Sequence, residues 1–301
     1  MSSAISCTAP AKINLALHVT GERQDGYHSL ESLVVFCRPA DELELQWGKG
    51  GEKPALKTTG PFAAALGGND NLILKAAALL RRRFPEAFAA AGGLCFALEK
   101  NLPVASGIGG GSADAAATLL VLRHALGIPV SDSALMTLGA EIGSDVPMCL
   151  SSSSLIARGR GTDLEPAANL PALDLVLVNP AIAVSTPQIF RILKNKQNPP
   201  LAALPGQLSQ FMLTSWLKEQ RNDLQAPAMA AEPVIGNVLR ALETSGASLS
   251  RMSGSGATCF GIFAHAEAAR KAAGTIAAAN PGWWVTATQS ADFGMDRVFP
   301  V

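Results

Sequence analysis

Four glycines within five residues, Gly107, Gly109, Gly110 and Gly111, stand directly before the Ala- and Leu-rich run that opens at Ser112. Glycine lacks a Cβ and admits positive φ, so the backbone N–H groups of such a stretch can converge on one point. A helix starting near Ser112 would aim its own unpaired N–H groups and its dipole at that point. The combination suits phosphate; the plainer alternative is a flexible loop with a serine cap. Two other phosphate motifs are excluded. The Gly-Lys pair of a Walker loop occurs only at Gly48-Lys49, where Gly50 follows in place of Ser or Thr. A GxGxxG fingerprint fails because the sixth position is Ser112 counting from Gly107 and Asp114 counting from Gly109.

A second feature is Lys12, set in the apolar run 9–17. An ammonium there is costly unless paired, or unless an edge strand lets it reach solvent. Asn14, two residues on, shares its strand face. Asp145 follows a predicted helix in the turn Gly143-Ser144-Asp145-Val146-Pro147, where Asp is also an ordinary turn residue.

These groups need a scaffold, and 301 residues suggest two domains or one large one. With 48% hydrophobic residues the chain can bury a sizeable core. Lys plus Arg equals Asp plus Glu at 24 each, which argues against non-specific nucleic-acid binding. The run Arg81-Arg82-Arg83 reads as a solvated helix end. Five scattered cysteines form no CxxC pair, against a zinc knuckle or redox dithiol and in keeping with a reducing cytoplasm. The first ten residues lack a secretory pattern, and no apolar stretch reaches the roughly 18 residues of a membrane helix. A soluble, cytoplasmic chain is expected.

Alternating patterns predict strands over residues 11–20, 32–38 and 42–47, with a turn over 21–26 and a surface connection over 48–60. Helical spacing marks 71–84, capped by Asn69 or Asp70, then 112–126 and 131–142. A strand is expected over 93–98 and a buried one over 173–178. A polar, Pro-rich loop covers 194–207, and helices cover 232–244 and 266–279. Two short strands flank a Gly/Ser loop within 246–263. Composition shifts near 151–160, where the domain boundary is placed. The mixing of elements points to the α+β class.

The stretch from Pro103 to Ala116 resembles the second signature of the GHMP kinases, PxxxGLGSS or a close variant. Ala9-Pro10-Ala11-Lys12-Ile13-Asn14-Leu15 resembles the first signature, and Arg251-Met252-Ser253-Gly254-Ser255-Gly256-Ala257-Thr258 the third. Finer features are similar to the branch acting on diphosphocytidyl methylerythritol: the GGGS-x-D loop, Asp25-Gly26-Tyr27-His28, the turn around Asp145, Thr186-Pro187-Gln188-Ile189-Phe190 and Asn222-Asp223-Leu224. Ala105-Ser106 departs from the pattern, which usually has more glycine there. The resemblance implies a two-domain α+β GHMP kinase fold. Residues 1–158 would form a ribosomal-protein-S5-domain-2-like domain binding ATP, and 159–301 a ferredoxin-like domain on the substrate side.

It also implies roles. ATP with Mg²⁺ would donate a phosphoryl group to the 2-hydroxyl of the cytidyl alcohol, in the non-mevalonate route to isoprenoid precursors. Asp145 would take the hydroxyl proton, Lys12 would pair with it, and Asn14 would touch the substrate. Pro103, Val104, Ala105, Ser106, Gly107, Ile108, Gly109, Gly110, Gly111 and Ser112 would hold the ATP phosphates, Ser112 meeting these or their Mg²⁺. Asn71 and Lys100 would meet the adenine. Asn71 has helix capping as its alternative. Tyr27, His28 and Phe190 would take the cytosine. Thr186 would bond a phosphate or diol, and Ser253, Gly254, Ser255 and Gly256 would approach the substrate or the phosphate loop. Other readings are a homoserine- or mevalonate-type kinase, a non-catalytic nucleotide sensor, and an RNA-binding module disfavoured by the neutral charge. The expected partner is a small molecule, with neither nucleic acid nor membrane, and the chain a monomer or weak homodimer.

Overall fold

The computed structural model describes residues 4–24, 26–47, 54–66 and 71–301. The first half runs β1 (Ala4–Glu22), β2 (His28–Trp47), β3 (Ala55–Thr59), α1 (Leu72–Arg83), α2 (Pro85–Ala91), β4 (Leu94–Glu99), α3 (Gly110–Ala125), α4 (Asp132–Ile142), α5 (Val146–Ser151), β5 (Leu155–Gly159) and β6 (Asp163–Pro166). The second half runs β7 (Asp174–Asn179), α6 (Thr186–Ile192), α7 (Gln210–Lys218), α8 (Gln225–Ala231), α9 (Val234–Thr244), β8 (Leu249–Met252), β9 (Cys259–Phe263), α10 (Ala266–Ala279), β10 (Trp284–Gln289) and β11 (Val298–Pro300).

Among the described residues the strands form two sheets. The larger has seven strands along the path β11-β1-β2-β4-β3, with β5 joining β2 and β6 joining β5. The smaller has the order β10-β7-β9-β8, antiparallel throughout. With α9 between β7 and β8 and α10 between β9 and β10, this is the split β-α-β arrangement of a ferredoxin-like domain.

The long strand β1 organises the molecule. Its residues 7–19 are all buried, and successive segments enter three hydrophobic clusters. Cys7 and Ala9 pack with the helices of the first half; Leu17 and Val19 pack beneath the second sheet's helices. Between them Ala11, Ile13 and Leu15 meet Leu175, Leu177, Phe260 and Ile262 of the second sheet. Strand alternation then turns Lys12 and Asn14 to the opposite face. Helix α3 is buried at every position from Ala113 to Leu122, as an apolar helix enclosed by others must be.

Several expectations are corrected here. The two strands expected at 32–38 and 42–47 are one, β2, with Pro39 accommodated where its register against β1 jumps from Ala40 to Cys37. The connection expected over 48–60 contains β3, which pairs parallel with β4. Asn69 and Asp70 lie outside the described residues, and the α1 cap is Asn71. Helix α3 opens at Gly110, two residues before Ser112, because Gly109 at φ +71° supplies the left-handed cap. The boundary expected between 158 and 159 falls inside β5. The sheet changes instead between Pro166 and Asp174, and β11 returns to the first sheet beside β1.

Candidate active site

The glycine loop, β1, the turn before α5 and the Gly/Ser turn between β8 and β9 enclose a cavity of about 620 Å³. Its floor is Lys12. The Lys12 ammonium donates to Asp145 Oδ2 at 2.8 Å and to Asn14 Oδ1 at 3.0 Å, and the residue is only 4% exposed. Burial without a partner would be prohibitive, so β1 can carry this lysine inward only because Asp145 is delivered from another element. Asp145 precedes α5, and its side chain makes no capping bond, which leaves it turned to Lys12. Asn14 is held in turn, its amide donating to Ser32 Oγ at 2.7 Å.

The loop lies directly on this couple. Lys12 N–H donates to Ile108 O at 2.9 Å, and a Cβ added to Gly109 would sit 3.2 Å from Lys12 Cε. The first helical bond of α3 runs from Ala113 N–H to Gly109 O, so the N–H groups of residues 110–112 have no carbonyl one turn earlier to bond. That geometry is a cradle for an anion beside an ammonium. The third-signature turn braces the loop from behind. Ser253 Oγ donates to Gly107 O at 3.0 Å and Thr258 N–H to Ser106 O at 3.0 Å. Asn222 fixes that turn by donating to Met252 O and Gly254 O at 2.7 and 2.8 Å.

Where the family pattern has glycine, Ala105 adopts φ +51°, a left-handed conformation that costs an alanine on the order of 1 kcal/mol. Ser106 instead caps the loop, donating to Pro103 O at 2.6 Å.

The expected residues divide as follows. Residues 103–107 and 109–112 line the cavity with Lys12, Asn14, Asp145, Thr186, Phe190, Gly254 and Ser255. Ile108 is buried in the core beneath, and Ser253 and Gly256 support rather than line. Thr186 Oγ1 and Ser255 Oγ are 2.7 Å apart, joining two walls. Asn71 is a helix cap, accepting from Ile73 N–H at 2.8 Å, and it is Leu72 beside it that reaches the cavity. Lys100 also lines the cavity, and at 1% exposure its ammonium lies between Asp41 Oδ2 and Asp114 Oδ2, at 2.5 and 2.7 Å. Those carboxylates outweigh the effect of burial and raise the Lys100 pKa. Burial, helped by Asp41 and opposed by Lys100, pushes Asp114 up to about 7.

At the other end Phe190 and Arg160 line the cavity, while Tyr27 and His28 stand behind them; His28 stacks on Phe190, ring centroids 4.7 Å apart and planes inclined by 23°. His28 Nε2 is buried with no hydrogen-bond partner among the described residues. Burial, then Lys196, lowers its pKa below the usual imidazole value. Tyr27 is 54% exposed, with the Arg160 guanidinium 3.8 Å over its ring. Asp41, Ser32 and Arg160 escape a reading by motif, and only Arg160, between Gly159 and Gly161, carries a local hint of a turn. Asp114 is the Asp of the GGGS-x-D loop, but nothing local names Lys100 as its partner.

The family descriptions "GHMP kinases N terminal domain" and "GHMP kinases C terminal" match residues 71–153 and 201–281. A 4-diphosphocytidyl-2-C-methyl-D-erythritol kinase of Chelativorans sp. (strain BNC1) is 49% identical over 286 residues, covering 95% of this chain and 96% of that protein. Its counterpart from Rhizobium meliloti (strain 1021) is 49% identical over 291 residues, covering 96% of each. The crystal structure of a 4-(cytidine 5'-diphospho)-2C-methyl-D-erythritol kinase superposes with a TM-score of 0.76 at 32% identity, over 95% of this chain and 99% of that one. With such likeness sustained along nearly its whole length, the chain belongs to the GHMP kinases and, within them, to the 4-diphosphocytidyl-2-C-methyl-D-erythritol kinases.

Proposed function

We propose that the chain transfers the γ-phosphoryl group of ATP to the 2-hydroxyl of 4-diphosphocytidyl-2-C-methyl-D-erythritol, a step of the non-mevalonate route to isoprenoid precursors. The observation that carries the site assignment is the contact between the Lys12–Asp145 couple and the glycine loop within one cavity. Phosphoryl transfer depends on position and charge stabilisation more than on covalent chemistry. The N–H groups of residues 110–112 hold the phosphates. Lys12 sets a positive charge beside the phosphoryl oxygens and orients Asp145, which accepts the hydroxyl proton. Asn14, fixed by Ser32, aligns the acceptor.

The cytidyl end is read from the aromatic cluster. The orphaned, buried Nε2 of His28 fits the edge of a base, and Phe190 and Tyr27 offer faces for stacking. Thr186 and Ser255 stand between the two ends, suited to the diphosphate or diol.

Magnesium would neutralise charge on the nucleotide's phosphates when bound. Among the described residues no group of three or more His, Cys, Asp or Glu could hold a metal ion, so the ion fits as a companion of the nucleotide, with the Ser112 hydroxyl in the cavity wall as a candidate contact. Among the described residues no helix is long and apolar enough to cross a membrane. Five free cysteines suit the reducing cytoplasm in which we place the enzyme.

Incubation with ATP, Mg²⁺ and the diphosphocytidyl alcohol, followed by mass spectrometry, tests the reading; one added phosphate on the alcohol is expected. Turnover of homoserine or mevalonate instead would overturn the acceptor assignment while leaving the kinase class.

A further inference from the structure

Beneath the phosphate loop lies a buried chain of two carboxylates around one ammonium. Asp41 on β2 is fully buried, and its Oδ1 accepts the N–H groups of Asn101 and Leu102 at 2.6 and 2.8 Å, where the chain enters the loop. Its Oδ2 accepts from Lys100, whose ammonium also donates to Asp114 on α3, where the chain leaves the loop. The same ammonium sits under the loop's exit: a Cβ on Gly110 would come within 3.1 Å of Lys100 Nζ. Asp41 and Lys100 alone would form a neutral pair. The second carboxylate must be desolvated, and its Oδ1 finds no hydrogen-bond partner among the described residues. Such an excess buried charge is a poor way to stabilise a fold. What it adds is a tie from α3 to the strand side of the loop.

We infer that Asp114, acting through Lys100 and Asp41, is a positioning residue that fastens both ends of the phosphate loop and so sets the enzyme's affinity for ATP. The inference rests on the reading that this loop holds the ATP phosphates. With Asp114 removed the Asp41–Lys100 pair stays neutral and the fold keeps its core, but the first turn of α3 loses its anchor. The loop's N–H groups then no longer share one fixed point, and the nucleotide is held less tightly.

The test is steady-state kinetics on the full chain, varying ATP and the cytidyl alcohol separately, with calorimetric titration of a non-hydrolysable ATP analogue. Asp114→Ala should raise KM for ATP about tenfold and leave KM for the alcohol within about twofold. Asp114→Asn, which keeps an oxygen for Lys100, should restore most of the loss. Gly110→Ala wedges a methyl between the loop and Lys100, and should raise KM for ATP in the same selective way. Combined with Asp114→Ala it should add little, because both break one linkage. Gly109→Ala, at φ +71° and against Lys12, serves as the control for the underlying reading. If Gly109→Ala leaves ATP binding intact, the loop is not the phosphate site. If Gly109→Ala abolishes binding while Asp114→Ala leaves KM for ATP unchanged, or shifts both KM values alike, the positioning role is overturned and the site stands. Should Asp114→Ala fail to fold, Gly110→Ala alone decides: an unchanged KM for ATP overturns the inference.

Discussion

The phosphate loop and the aromatic end of the cavity differ in how many buried fastenings hold them. The loop is tied to β1 through Lys12 N–H and Ile108 O, to the β8–β9 turn through Ser253 and Thr258, and rests on the Lys100 ion chain. The aromatic end is assembled from three separate places in the chain, around Tyr27, Arg160 and Phe190, and Tyr27 stands more than half exposed. A phosphoryl group must be placed to a fraction of an ångström, whereas a base can be gripped by faces that give a little. On the proposed reading the rigid end would govern turnover and the compliant end which acceptor enters.

The contrast can be broken most sharply at Asp145. Asp145→Asn should lower kcat by about 10²- to 10⁴-fold with ATP affinity nearly unchanged, measured by single-turnover kinetics and nucleotide titration. A rate close to the parent's would remove Asp145 as the base. At the compliant end, Tyr27→Ala should weaken the cytidyl alcohol by about 1–3 kcal/mol while sparing ATP, read from the two KM values. Equal weakening of both substrates would mean the ends are not independent.

A smaller effect is expected from pH. Burial holds His28 neutral down to below its usual value of 6.5, and the neutral ring keeps one acceptor and one donor for the base edge. KM for the alcohol should thus be flat above about pH 6.5 and rise only below it, as the imidazole gains a proton; His28→Gln should flatten that rise. If the rise survives in His28→Gln, another group is titrating. Least of all, Ala105→Gly should stabilise the chain by on the order of 1 kcal/mol, because glycine relieves the φ of +51°. Thermal unfolding checks this, and no gain would mean that the added backbone freedom offsets the relief.

Much of the rigid end was legible because its signals are local. Clustered glycines announce a backbone anion site, and a lysine inside an apolar strand announces a hidden partner. What could not be read were partners far apart in the chain. Asp41 and Lys100 are separated by 59 residues, and Asp41 followed by Glu42 looks like the polar start of a strand. The capping role of Asn71 was visible as an alternative, and the structure shows that cap. Strand β3 was missed because its exposed Lys57, Thr58 and Thr59 have no alternating pattern, and only pairing with β4 makes it a strand. The change to Ser and Gly near 151–160, where the boundary was expected, falls on β5 and its flanks within the first sheet.

The return of β11 to the first sheet has a consequence for how the molecule is made. Val298, Phe299 and Pro300 close the flank of β1 at Ile5, Ser6 and Cys7, and Arg297 reaches Thr8 O on that strand and the Cys149 and Leu150 carbonyls of α5. A ribosome emits β1 almost three hundred residues before its outer neighbour, so that edge of the first sheet waits uncovered until β11 appears. Separating the halves by cutting the chain after Pro166 would leave that edge permanently bare.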